Sequence, residues 1–359
     1  MRAHAGFGSA EDVIAQRRAV YRLAVELLGD GKTHADPDVL DNPMVRAHLG
    51  SVLSGDAGYR PAELRPLSEV TGPAASGPAG RARVAGRPAA SPALGPALAR
   101  VATELRRHDV ADRPPELLTE SSPEFPAARR RLLAGIALAA EVVPALAADL
   151  LPHVAAFALV RDESGRLGSA SAREYPGLVA LPAPRSVPEA AEALIHEGAH
   201  QKFFDLAITR TVFGANQYSA PPMHPSWTPG AAWPLEQTFA AWHAYRCLTA
   251  LAEASDARLS GSLTPASLLP TAAERAAELG SWLSEHGEYL GTDGHDLLES
   301  VDGYRPVRPA PTSHGSAPLG PSTSVRRIGD RTLVARRTNP IEVYWLADSR
   351  RPDREARSG

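Results

Sequence analysis

The chain has 359 residues, with 38 Lys and Arg against 41 Asp and Glu, a formal net charge of −3 and 43% hydrophobic residues. That length fits two average domains or one large one, and the apolar share sustains a sizeable core. The near balance of charge excludes a general attraction to nucleic acid or anionic membranes. A single cysteine, Cys247, excludes an intramolecular disulfide and a thiolate-rich metal site.

In chain order, the opening Met1-Arg2-Ala3-His4 has no apolar run behind its basic residue, so no secretory signal is read there. Residues 11–29 predict an amphipathic helix, with Val13, Ile14, Val20, Leu23, Ala24 and Leu27 at helical spacing and Gly29 as its stop. A short helix follows around 39–53. Residues 71–98 are rich in Gly, Ala, Pro, Ser and Arg and read as a linker or mobile loop. Helices resume over 96–107 and 127–150. The apolar stretch from Leu132 to Val160 is interrupted by Glu141, Pro144, Asp149, Pro152 and His153, which breaks it too often to span a bilayer. The chain is therefore expected to be cytoplasmic.

Two short apolar runs, Ala155–Val160 and Gly177–Leu181, suit buried strands. Long helices are predicted over 187–209, 234–254 and 272–290. A Pro/Ser/Gly-rich segment covers 305–324. Beyond it, residues 324–328 and 332–335 flank Gly329-Asp330-Arg331 as a hairpin, 341–346 offer one more strand, and the polar tail 347–359 is expected to be disordered. These elements predict an α+β, predominantly helical fold with a few short strands. The expected division is an N-terminal helical region over 1–110, a metal-binding core over 123–302 and a C-terminal hairpin region over 324–346.

The chemistry sits in His196-Glu197-Gly198-Ala199-His200. Ser186 is placed to cap the helix that carries it, Pro188 suits the first turn and Glu189 completes a capping box. On that helix the two histidines, four residues apart, share a face. Both imidazoles can reach one ion, with Glu197 beside it to contact bound water. Such nitrogens suit zinc and ferrous iron alike. A third ligand is required. Phe203 and Leu206 occupy the positions where a metzincin needs Gly and His, which excludes that class. Glu236, near the start of the next long helix, is the favoured third ligand. His243, two turns further along, is its rival, and His224 in the intervening loop is a weaker one. The pattern is that of a zincin-like metal helix pair. Lys202 and Arg246 are near enough in sequence to bind a carboxylate ligand, but ordinary solvated charges are the favoured reading of each. Arg326, Arg327, Arg331, Arg336 and Arg337 form a basic cluster on the hairpin, suited to an acidic peptide or to blocking edge-to-edge aggregation.

On the motif alone, Glu197 would be the general base of a gluzincin-type zinc metallopeptidase. The surrounding residues add a resemblance. Pro176–Leu181 and Glu192–Lys202 resemble the core of the HEXXH motif-containing peptide-modification protein family, which accompanies ribosomally synthesised, post-translationally modified peptides. Asn42-Pro43-Met44-Val45-Arg46 and Pro225-Ser226-Trp227 with residues 235–240 resemble flanking segments of that family. The resemblance implies Fe(II) and 2-oxoglutarate as cofactors, hydroxylation of a peptide side chain, a precursor peptide as partner, and His196 and His200 as ligands. Glu236 falls where the third ligand is expected.

Overall fold

The computed structural model describes residues 9–29, 35–71, 75, 77–80, 82–87, 90–106, 116–161, 168–255, 267–302, 323–328, 331–336 and 342–346. Helix α1 (Ala10–Leu28) begins at a capping box in which Ser9 and Asp12 satisfy each other's backbone N–H, and it ends at the expected Gly29. The helix expected over 39–53 is two helices, α2 (Pro37–Leu40) and α3 (Pro43–Leu53). Asn42 breaks them, because its side chain caps the Met44 N–H and Pro43 can only start a helix. After α4 (Leu67–Val70) and the two-residue strand β1 (Arg83–Val84) comes α5 (Ala90–Arg106). The single helix expected over 127–150 is likewise two, α6 (Phe125–Val142) and α7 (Pro144–Leu150), separated at Val143, whose backbone leaves the helical region ahead of a proline.

Strands β2 (Ala156–Val160) and β3 (Leu178–Pro182) then lead into α8 (Val187–Thr209), the helix bearing the histidine motif. Helices α9 (Leu235–Ser255), α10 (Ala272–Glu285) and α11 (Thr292–Asp302) complete the helical part. The hairpin expected near the C-terminus is present as β4 (Thr323–Ile328) and β5 (Arg331–Arg336), and β6 (Glu342–Leu346) pairs antiparallel with β5. Four arginines of the basic cluster lie on β4 and β5. Arg337, the Pro/Ser/Gly-rich stretch over 305–322 and the tail over 347–359 fall outside the described residues.

The first sheet is parallel throughout, in the order β1-β2-β3. Strands β2 and β3 are continuous apolar runs because both faces are covered. On one face Ala156, Ala158, Leu178 and Ala180 pack with Leu94, Ala97, Leu98 and Val101 of α5. On the other, Phe157, Leu159, Val179 and Leu181 join a larger core with α6, α8 and α9. Helix α8 runs through the middle of that core, packed against α1, α6, α7 and α9. Its buried residues lie on every side of it, and polar ones among them, such as Gln201, Lys202 and Asp205, are hydrogen-bonded or ion-paired. Gly135 of α6 permits the close crossing, since a Cβ there would stand 2.6 Å from Ala190 Cβ of α8.

The structure revises the expected organisation in two places. Within 71–98, read as a linker, Ala75, Ala79, Ala82, Val84 and Ala85 are buried, and β1 bonds to β2. Small side chains that look like linker composition here allow close packing. The 1–110 region also does not stand apart from the core: Val13 of α1 belongs to the same apolar cluster as α8, and β1 belongs to the same sheet as β2. Among the described residues no helix is long and apolar enough to cross a membrane.

Candidate metal centre

Ser186 caps α8 through the Glu189 N–H, as the sequence predicts. The Glu189 carboxylate, however, accepts from the Arg185 N–H rather than closing the box on Ser186. Three turns in, His196 and His200 share a face, with ring centroids 4.8 Å apart. Their Nε2 atoms converge to 3.3 Å. Two imidazole nitrogens on one tetrahedral ion, each 2.0–2.1 Å from it, stand about 3.3–3.4 Å apart. The donor pair therefore fits two positions on such an ion.

Burial pushes both imidazoles down to about 4. The positive charge of Arg275 adds to the effect at His196, and His196 adds to it at His200. Both rings are therefore neutral at pH 7, the form that ligates. His196 Nδ1 is buried and has no hydrogen-bond partner among the described residues.

Glu197 points beside the pair, its Oε1 4.0 Å from His196 Nε2. Its side chain is only 2% exposed, and both oxygens are engaged: Ser169 Oγ donates to Oε1 at 2.8 Å and Ser171 Oγ to Oε2 at 2.6 Å. Those serines lie on a short extended segment running antiparallel beside β3, where Ala170 and Ala180 exchange both backbone hydrogen bonds at 2.9 Å. Alternate residues of an extended chain face the same way, so Ser169 and Ser171 both reach the glutamate while Ala170 packs into the core.

The other expected ligands are placed differently. Glu236, in the first turn of α9, pairs with Arg173, and burial raises its carboxyl against the opposing pull of that guanidinium. His243 is fully buried, with Nδ1 3.1 Å from the Ala199 carbonyl. His224 is exposed and lies 2.8 Å from the Ala231 carbonyl through Nδ1. Among the described residues no group of three His, Cys, Asp or Glu side chains stands together to hold a metal ion. His196 and His200 are brought together; Glu236 and His243 do not join them in this arrangement. Lys202, weighed as a ligand-binding cation, is wholly buried in an ion pair with Asp149 of α7 and cannot serve the site. Arg246 is half-buried on α9.

Several residues around the motif were not singled out by the sequence. Tyr245 of α9 lies edge-on to His196, 6.0 Å between centroids. Arg275 of α10 donates to its hydroxyl at 2.8 Å and sits over the rings of Trp227 and Tyr245. Behind the histidines α8 is anchored by buried polar contacts. Gln201 accepts from the Gly177 N–H and donates to the Leu178 carbonyl, fixing α8 to the start of β3. Asp205 accepts from Arg17 of α1 and Arg46 of α3 and also bonds His153. Gly177 adopts φ +96°, and a Cβ there would stand 2.8 Å from Arg46 Nη1, so glycine alone fits. Of these, Arg46, Gly177, Gln201 and Trp227 lie in segments that carry the resemblance. Comparison with protein-family models and with curated proteins finds no match to this chain.

Proposed function

We propose that the chain is a metal-dependent peptide-modifying enzyme whose reaction is Fe(II)/2-oxoglutarate-dependent hydroxylation of a side chain in a ribosomally synthesised peptide. The observation that carries the metal is the convergence of His196 Nε2 and His200 Nε2 at 3.3 Å, both held neutral. Iron and 2-oxoglutarate enter through the resemblance of residues 176–202 and their flanks to the peptide-modification family, and through the suitability of two histidines and a carboxylate for ferrous iron.

On this reading α8 and α9 form the zincin-like helix pair. Glu236 is the third donor and exchanges Arg173 for the ion. Ferrous iron with 2-oxoglutarate would activate dioxygen, which is the oxidant: one oxygen atom would enter the peptide side chain and the other succinate, with release of carbon dioxide. The protein's own groups bind and orient: His196 and His200 hold two positions without giving up protons, and Glu197, gripped by two serine hydroxyls, orients water or substrate next to them. The segment carrying Ser169 and Ser171 forms a wall of the site.

A second reading, a gluzincin-type zinc metallopeptidase, is favoured by one observation. Glu197 stands 4.0 Å from His196 Nε2, where a general base would take the proton of a zinc-bound water. One experiment separates the two. The protein is purified without oxygen, its metal is measured, and succinate formation from 2-oxoglutarate is followed with iron and oxygen. Succinate formation that His196→Ala abolishes supports hydroxylation; zinc occupancy with oxygen-independent peptide cleavage replaces it with the peptidase.

A further inference from the structure

Beside the histidine pair stands a guanidinium with an unusual set of neighbours. Arg275 is half-buried on α10. Its guanidinium carbon lies 5.2 Å from the centre of the Trp227 ring and 5.4 Å from that of Tyr245. Its Nη1 donates to the Tyr245 hydroxyl at 2.8 Å. Tyr245 in turn contacts His196 edge-on at 6.0 Å, so the guanidinium lies one ring away from the candidate ligand.

The cage is braced. Trp227 packs edge-on against both Trp233 and Tyr245. The residue before it, Ser226, is clamped to α10, since its backbone N–H and its hydroxyl both donate to Glu278 at 2.8 and 2.6 Å. Glu278 is the acid one turn along from Arg275, and it is thereby committed to Ser226. Among the described residues no carboxylate lies within ion-pairing distance of Arg275. The other large cations near α8 are handled differently: Arg17 and Arg46 meet Asp205, and Lys202 meets Asp149. A guanidinium stacked on aromatic faces keeps its planar fork of donors free for a carboxylate, and the stacking holds that fork in place at little entropic cost.

We propose that Arg275, framed by Trp227 and Tyr245, is a carboxylate-binding subsite beside His196 and His200. The carboxylate can come from a small oxoacid or from a peptide terminus, and the test distinguishes these sources. Its relation to a reacting centre rests on the metal reading above, whereas the carboxylate contact itself does not need the metal.

The test uses the full chain, with and without added Ni(II), and calorimetric titration of three probes: 2-oxoglutarate, a short peptide with a free C-terminal carboxylate, and the same peptide amidated. Metal uptake is measured on the same samples. Either 2-oxoglutarate or the free-acid peptide binds the native protein, and Arg275→Gln weakens that binding about tenfold or more. Arg275→Lys, which keeps the charge and loses the fork, falls between the two and serves where the first variant does not fold. Binding of 2-oxoglutarate alone assigns the subsite to a small oxoacid; binding of the free-acid peptide but not its amide assigns it to the peptide.

Equal affinity in native protein and Arg275→Gln, or no binding of either carboxylate to the native protein, overturns the subsite. Carboxylate binding through Arg275 in a protein that takes no metal refutes the metal reading and keeps the subsite. Metal uptake with no carboxylate binding does the reverse.

Discussion

Arg46 and Asp205 form a wholly buried ion pair across 159 residues of sequence, joining α3 to the helix that carries the histidine motif. Asp205 also accepts from Arg17 of α1 and bonds His153 Nδ1 at 2.7 Å, so one carboxylate collects three elements behind the site. Breaking a buried pair by removing one partner leaves uncompensated charge and costs about 3–5 kcal/mol. Asp205→Ala is expected to lower stability by that order in denaturant unfolding, and a change under about 1 kcal/mol would show that the cluster is not a structural tie.

The cluster also sets a pH dependence. Burial holds His153 below its ordinary value, outweighing the bond to Asp205. The flanking Arg17 and Arg46 hold Asp205 far below the usual carboxylate range despite its burial. For His153 the folded value lies below the unfolded 6.5, so the unfolded chain takes up the proton first and stability falls as pH drops below about 6.5. For Asp205 the folded value is also depressed, so its contribution is complete above about 4 and is lost as pH falls further. Thermal unfolding between pH 7 and 3 is therefore expected to show declining midpoints from mildly acidic pH onward. A flat profile down to pH 4 would contradict a neutral buried His153.

The motif histidines give a separate prediction about metal affinity. A site of two histidines with ordinary values would bind on the order of 70-fold more weakly at pH 5.5 than at pH 7, because protons compete for both rings. With both rings held down to about 4, that competition is nearly absent over this range. Ni(II) affinity measured by dye competition is expected to change only a few-fold between pH 7 and 5.5, and a drop approaching two orders of magnitude would show that the rings titrate normally.

Helix α8 was legible in sequence because its signals are local: Ser186 caps it, Pro188 suits its first turn, and the spacing of His196 and His200 puts both on one face. The C-terminal hairpin was legible for the same reason. Strand β1 was not, since two residues in an Ala- and Gly-rich stretch carry no periodicity and pair only because β2 is beside them. The partners of Glu197 and of Asp205 were equally hidden. Ser169 and Ser171 reach the glutamate from 28 and 26 residues away, and Arg17 reaches Asp205 from 188, distances at which no motif spacing operates. Lys202 departs from both of its readings, a solvated charge and a ligand contact, because it is buried in a structural pair with Asp149.

Cys247 gives a simple check on the packing of α9. It is 1% exposed, and burial pushes its thiol up to about 12. The thiolate is the reactive form. The native protein at pH 8 is expected to resist alkylation by iodoacetamide while the denatured chain reacts fully, as read by intact mass. Rapid modification of the native protein would mean that α9 does not stay packed on α8.

Ser169 and Ser171 hold Glu197 in place. Two hydroxyl donors, one to each oxygen, leave that carboxylate a single orientation beside His196. Hydrogen bonds to a charged group contribute about 1.5–3 kcal/mol each. The hydroxyls of both serines donate to Glu197, so replacing both removes the grip on Glu197 without removing the ligands. Ser169→Ala combined with Ser171→Ala is therefore expected to keep metal affinity within a few-fold of the native protein. Turnover, measured as succinate release or as peptide cleavage, is expected to fall by at least about tenfold. Glu197→Gln should fall at least as far, because the amide keeps the shape but cannot accept a proton or bind water as a carboxylate does. If the double serine variant turns over normally while Glu197→Gln does not, the glutamate acts without help from the segment beside β3. If both variants lose the metal, Glu197 and its serines belong to the ion's own support.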